Sequence, residues 1–263
     1  MKLEQKNDEN KALQVIEQAV KLPFVKVKRK EFLLKAFSDY NIDMNELIEN
    51  GPVKLVSKKD LDKVANRAIN DALIKSTSAS FMTGLPGGIA LAATIPADMV
   101  QFYGFALKLA QELSYIYGLE DLFNDSGELS EESKNMLIIY LGVMLGVTAA
   151  GSTVRLLSKQ ASTQALKSIP GKALTKTVYY PILKKVLKTF GIKLTKDTFA
   201  KGVSKAIPIV GGVVSGGMNF ASLKPMGKKL KNELSNSINY SSKEQARDIK
   251  IIEGEGVVID QQL

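Results

Sequence analysis

One segment of the chain carries polar side chains at a spacing that could do chemistry. In IPADMVQFYGFALKLAQELSYIYG, the helical period puts Asp98, Gln101, Phe105, Lys108, Glu112 and Tyr115 on one stripe. Met99, Phe102, Tyr103, Ala106, Leu109, Ala110, Leu113 and Ile116 form the opposite, broadly apolar face. Lys108 and Glu112 stand four residues apart and can pair. The plain reading is a solvated face with an ordinary surface ion pair. The sharper one is a candidate polar groove of Asp98, Gln101, Tyr103, Lys108 and Glu112. Closed into a cavity, that groove would suit an enzyme or a small-ligand carrier. Asp98 near the helix start also meets the favourable end of the macrodipole, which requires no catalytic role.

The residues that are missing narrow the chemistry. The 263-residue chain has no His, no Cys and no Trp. A Ser-His-Asp triad, a thiolate nucleophile and an imidazole or thiolate metal site are therefore excluded. No motif for an all-oxygen magnesium site is present, so neither a metal nor a cofactor is expected. The glycines of GLPGGIALAA, Gly84, Gly87 and Gly88, do not make a phosphate loop. That motif needs a following Lys and hydroxyl, and a dinucleotide fingerprint needs a preceding strand. A second segment, AIPIVGGVVSGG, echoes the first with Gly211, Gly212 and Gly216. Each sets a Pro before a Gly pair inside an uncharged window, which predicts two helix-break-helix hairpins.

Charge is polarised along the chain. The net charge is +9, yet residues 152–232 hold 16 Lys or Arg against one acid, Asp197. The rest of the chain is acidic, so an anionic partner is expected for the basic half. KTVYYPILKKVLKTF interleaves Lys176, Lys184, Lys185 and Lys188 with Tyr and aliphatic residues. With Lys228 and Lys229 these make a candidate basic face. A basic amphipathic helix suits anionic lipid. Nucleic acid ranks lower, because Arg155 is the one Arg in this window and no nucleic-acid-binding signature occurs. The polar N-terminus, MKLEQKNDENKALQ, lacks the apolar core of a signal peptide. That predicts a cytoplasmic protein, peripheral at the inner face of the membrane.

The elements that would carry these residues are helical throughout. Asp8 is a possible cap for a first helix and Pro23 its end. Further helices are expected over 28–37 and after Asp43, closing at Asn50-Gly51-Pro52. Ser57, with Asp60 three residues on, caps a helix whose Leu61, Val64, Ala65, Ala68, Ile69, Ala72 and Leu73 form a core-facing stripe. Ser130 caps a helix over 131–151. That helix contains the uncharged run 135–154, whose length fits a bilayer span but which reads better as a buried core helix. Gly142, Gly146 and Ala150 repeat every fourth residue there, a seam for close helix approach. Breaks are expected at Pro170-Gly171 and Gly191, with Pro181 a kink or boundary. Another glycine-broken helix is expected near 207–222 and a last one over 226–239. Only 257–259 hints at a strand. The fold class is all-α: a multi-helix bundle with two glycine/proline-broken hairpins and no significant sheet. Residues 1–56 form N-terminal helices on or beside the core, 57–240 the main helical domain, and 241–263 a polar tail.

Two stretches resemble the EcsC family of bacterial proteins. They are LPGGIALAATIPADMVQFYGFALKLAQELSYIYG and KAIPIVGGVVSGGMNF. The matching elements are Gly87-Gly88, Ile95-Pro96-Ala97-Asp98, the Tyr117-Gly118 helix end and the later Pro-Gly-Gly break. The likeness covers roughly residues 57–234 and extends to the helical domain appended to some bacterial GTPases, although no GTPase motif is present. It implies a helical protein tied by family name to an ABC-transporter operon and secretion, with no agreed activity and no catalytic residues to carry over. The expectation is a non-enzymatic protein of the membrane surface. It would bind anionic lipid or acyl chains through Lys residues and apolar helix-break segments, or dock as a regulatory subunit on a membrane transporter.

Overall fold

The computed structural model describes residues 2–77, 97–124, 127–163, 176–193 and 214–260, and among them the chain is helical with no strand. The helices are α1 (Lys2–Val20), α2 (Arg29–Ala36), α3 (Met44–Asn50), α4 (Pro52–Leu55), α5 (Lys58–Thr77) and α6 (Ala97–Ile116). They continue with α7 (Glu131–Leu145), α8 (Thr148–Thr163), α9 (Lys176–Lys193), α10 (Val214–Ile238) and α11 (Ser242–Asp260). An isolated bridge pairs Phe123 with Leu129 in the loop before α7. The all-α expectation is met. Gly84, Gly87, Gly88, Gly211 and Gly212, and with them both expected hairpins, lie outside the described residues.

Local chemistry sets the helix starts. The Asp43 carboxylate accepts from the amides of Asn45 and Glu46 at 2.7 and 3.0 Å, two of the donors that a helix start leaves unpaired. Ser57 accepts from Asp60 N–H at 3.2 Å and donates back to its carboxylate. Ser130 accepts from Ser133 N–H at 3.1 Å. The first helix differs: α1 already runs at Lys2, so Asp8 lies inside it rather than capping it.

Helix α6 is the centre of the bundle. It packs against α1, α2, α5, α7 and α10. The expected apolar face is buried, as is the α5 stripe from Leu61 to Leu73 that meets it. Of the opposite stripe, Phe105, Glu112 and Tyr115 are buried too, at 1%, 7% and 0% exposure, while Gln101 and Lys108 are partly covered. The face expected to be solvated is thus covered at Phe105, Glu112 and Tyr115 and left partly open at Gln101 and Lys108. The cover comes from the α1–α2 connection. Phe24 stacks on Phe105 with ring centroids 4.7 Å apart. Buried Gln111 accepts from Val27 N–H at 3.2 Å and donates to the Val25 carbonyl at 2.8 Å, tying an extended backbone segment to the helix.

The uncharged run 135–154 is not one helix. A Schellman turn ends α7: Val147 N–H reaches the Gly142 carbonyl and Gly146 N–H the Val143 carbonyl, both at 2.9 Å. Gly146 takes the left-handed conformation this requires, at φ 89°. The expected helix over 131–151 therefore becomes α7 and α8, joined at a corner. Among the described residues no helix is long and apolar enough to cross a membrane. Gly142 does mark a close approach, since a Cβ there would stand 2.4 Å from Val186 Cγ2 and 3.0 Å from Ala150 Cβ.

The chain from Ser242 to Asp260 is a helix rather than a polar tail, and 257–259 lies in it rather than in a strand. Ser241 and Glu244 form a capping box: Glu244 N–H donates to Ser241 Oγ, and Ser241 N–H to Glu244 Oε2. The helix docks on α8 and α9. Asp248, 2% exposed, receives two bonds from Arg155, one from Tyr240 and one from Ser152, while Arg155 also pairs with Glu233. Gly191 lies inside α9 and Gly216 inside α10, so neither is a break, and Pro181, also inside α9, is no boundary; Pro170 and Gly171 lie outside the described residues.

Candidate functional site

The residues of the candidate polar groove part company. Lys108 and Glu112 pair directly, half-buried and buried respectively, with Glu112 7% exposed. Gln101, two turns before Lys108, is only partly covered. Tyr103 is buried on the other side, edge-on to Phe102 and Phe190. Burial pushes its phenol well above the usual range, so it stays neutral and serves packing. The Asp98 side chain lies outside the described residues. The cleft that takes in Lys108 and Glu112 does not reach Tyr103. The reason is rotational: Tyr103 and Lys108 lie on opposite sides of the helix, Tyr103 against the core and Lys108 toward the open side.

The Lys108–Glu112 pair instead forms part of a half-open cleft of about 370 Å³ between α2, α5 and α6. Six cations line it: Lys26, Lys28, Lys35, Arg67, Lys75 and Lys108. Three acids join them, Glu31, Asp71 and Glu112. Gln111, one residue from Glu112, anchors the backbone carrying Lys26 and Lys28. Arg29 turns inward, donating to the carbonyls of Leu119 and Ile48, which fixes the start of α2. Lys26 leans over the Phe123 ring, its amine 5.5 Å from the centroid. Lys28 pairs with Glu31 at 2.7 Å, and Arg67 with Asp39 at 2.9 Å while lying over Tyr40. All four side chains in these two pairs are exposed, so the pairs are weak.

Apart from Lys108, the cations of this cleft do not belong to the candidate groove, although the sequence signals them. Residues 26–35 read KVKRKEFLLK, five cations and one acid, in the part of the chain that is acidic on balance. That segment reads as an ordinary short helix until α6 and α5 bring Lys108 and Arg67 beside it.

The basic face divides between two helices. On α9, Lys184, Lys185 and Lys188 are exposed beside Tyr180, which is 58% exposed. Lys184 lies 5.1 Å from the Tyr180 ring centroid. The Lys176 side chain lies outside the described residues. On the reverse of α9, Ile182, Leu183, Val186, Leu187 and Phe190 are buried, and α9 packs on α1, α7 and α11. Its apolar face is therefore spent on the core and not free to enter a bilayer. Lys228 and Lys229 are exposed on α10, which packs on α7 but not extensively on α9. Lys229 reaches the Gly146 corner at the carbonyl end of α7, where a cation is favoured.

Among the described residues no group of His, Cys, Asp and Glu is arranged to hold a metal ion. Compared with family models, curated proteins and solved structures, the chain gives no match in any of the three.

Proposed function

We propose that the protein is a non-enzymatic adaptor that docks on anionic membrane from the cytoplasmic side, with the outer face of α9 as its contact. The observation carrying this reading is the composition of that face. The helix holds five Lys and no acid over its 18 residues, and its solvent side combines Lys184, Lys185 and Lys188 with an exposed Tyr. Lys supplies attraction to headgroups, and Tyr suits the boundary between headgroup and acyl chain. Because the apolar side of α9 is packed against the bundle, attachment is electrostatic and shallow, hence reversible and salt-sensitive. The EcsC resemblance agrees with such a role beside a transport or secretion system.

Each Lys near an anionic surface contributes about 1 kcal/mol, so the three together are worth on the order of a hundredfold in partitioning. Co-sedimentation tests this. The protein should pellet at low salt with phosphatidylglycerol vesicles and stay in solution with phosphatidylcholine. The triple variant K184E/K185E/K188E should lose the difference. Equal absence from both pellets at low salt would remove the reading. If instead the protein is recovered only with a solubilised transporter, its partner is a membrane protein rather than lipid.

A further inference from the structure

We infer that the cleft between α2, α5 and α6 is a second site, one that binds a small phosphate-bearing anion. Its volume of about 370 Å³ lies at the small end of the range for ligand sites, enough for a compact polar molecule and not for a lipid chain. Cations outnumber acids two to one among its lining residues. They also come from three separate elements: Lys28 and Lys35 from the start and end of α2, Arg67 and Lys75 from α5, and Lys108 from α6. Like charges converging from different elements repel one another, a cost that an anion between them would relieve.

The acids nearby, Glu31, Asp71 and Glu112 in the lining and Asp39 beside it, leave the six cations in excess. Glu112 is buried and engaged by Lys108, so it is already matched. Glu31 and Asp39 hold Lys28 and Arg67 in exposed pairs that contribute little and exchange readily. An arriving phosphate can take over both cations at small cost, and Arg67 offers a planar fork suited to two phosphate oxygens. The frame is stiff where it matters, because Gln111 and Arg29 fix the backbone from Val25 to the start of α2. The shared chemistry is a phosphate group carrying two charges, and its source is either a soluble metabolite or a phosphomonoester lipid head.

Inorganic pyrophosphate is the probe. Thermal unfolding is followed by circular dichroism with pyrophosphate and with chloride at matched ionic strength. Pyrophosphate should raise the midpoint saturably, and calorimetry should give the affinity. Lys35 and Lys75 are exposed, so K35Q/K75Q should fold normally and lose at least tenfold in affinity. The α9 variant K184E/K185E/K188E should keep the pyrophosphate response, which separates this site from the proposed membrane contact. No rise beyond that of chloride, or an equal rise in K35Q/K75Q, would overturn the site. Phosphatidate vesicles resolve the source: competition by pyrophosphate assigns a lipid head, and unchanged sedimentation assigns a soluble phosphate.

Discussion

Arg155 holds Asp248 through two parallel bonds, Nε to Oδ2 at 2.7 Å and Nη2 to Oδ1 at 2.6 Å, across 93 residues of chain. The one Arg of the basic window is thus a structural clamp between α8 and α11. Tyr240 and Ser152 take up the remaining capacity of the carboxylate at 2.6 and 2.9 Å. Removing Arg155 leaves Asp248 buried and charged without its cation.

Arg155→Met should therefore cost about 3–5 kcal/mol, the range for breaking one side of a buried pair. In denaturant titrations the midpoint should fall, and limited proteolysis should first cut within α11. The double variant R155M/D248L should recover much of the loss, since no orphan charge remains. A single-variant loss within about 0.5 kcal/mol, the range for ordinary surface changes, would show that the clamp is ornamental.

Acid should destabilise the fold through the same carboxylate. Burial opposes ionisation of Asp248, but the bonds from Arg155, Tyr240 and Ser152 outweigh it and hold its carboxyl below the usual 3.8. Asp62 is similar: burial opposes its charge, and Tyr117, Ser235 and the nearby Lys231 and Lys58 prevail. A lowered carboxyl contributes stability that is fully present above its unfolded value and is lost as pH falls through the folded one. With no His in the chain, the melting temperature should be flat between about pH 5 and 8. It should drop below about pH 4. D248N should lower the plateau and soften that acid limb. A steep change near neutrality would contradict a carboxylate origin for the pH dependence.

What was legible in the sequence was local. Asp43, Ser57 and Ser130 cap as their types and positions predict, and the Leu61-to-Leu73 stripe is buried throughout. The corner at Gly146 was readable only as a small-residue seam, because a Schellman turn and a close-packed glycine leave the same trace. Helix α11 carried a signal in Ser241-Ser242-Lys243-Glu244, a capping box hidden by the polarity of the residues C-terminal to it. The second face of α6 does not read as partly covered, because Phe105 and Tyr115 share a stripe with Lys108 and Glu112. Only tertiary contact, such as that of Phe24 with Phe105, reveals that part of the stripe is covered. The cleft cations come from positions spread between 26 and 108, so no local pattern assembles them.

Gly142 should tolerate no side chain while Val186 is present. Gly142→Ala places a methyl 2.4 Å from Val186 Cγ2 and should cost about 1–3 kcal/mol by overpacking. Val186→Ala should open space, so G142A/V186A should be more stable than the sum of the two single changes predicts. A coupling of about 0.5–3 kcal/mol is expected for residues in contact. Strict additivity in urea unfolding would mean that α7 and α9 do not meet there.

Gln111 should matter more than a polar residue on an apolar helix ordinarily does. It is fully buried, and its amide serves the Val27 N–H, the Val25 carbonyl and the Leu107 carbonyl. Gln111→Leu keeps the volume but strands the first two of these backbone groups away from water. At about 1–3 kcal/mol for each unsatisfied group, a loss of about 2–6 kcal/mol is expected. Gln111→Glu keeps an acceptor for Val27 but turns a buried carboxylate on the Val25 and Leu107 carbonyls, so it should be at least as damaging as the Leu variant at neutral pH. Hydrogen exchange gives the local readout: the Val27 amide should exchange faster in the Leu variant, ahead of amides in α5. Because Lys26 and Lys28 ride on this segment, pyrophosphate affinity should fall in parallel. Unchanged exchange at Val27 would show that Gln111 does not hold the cleft in shape.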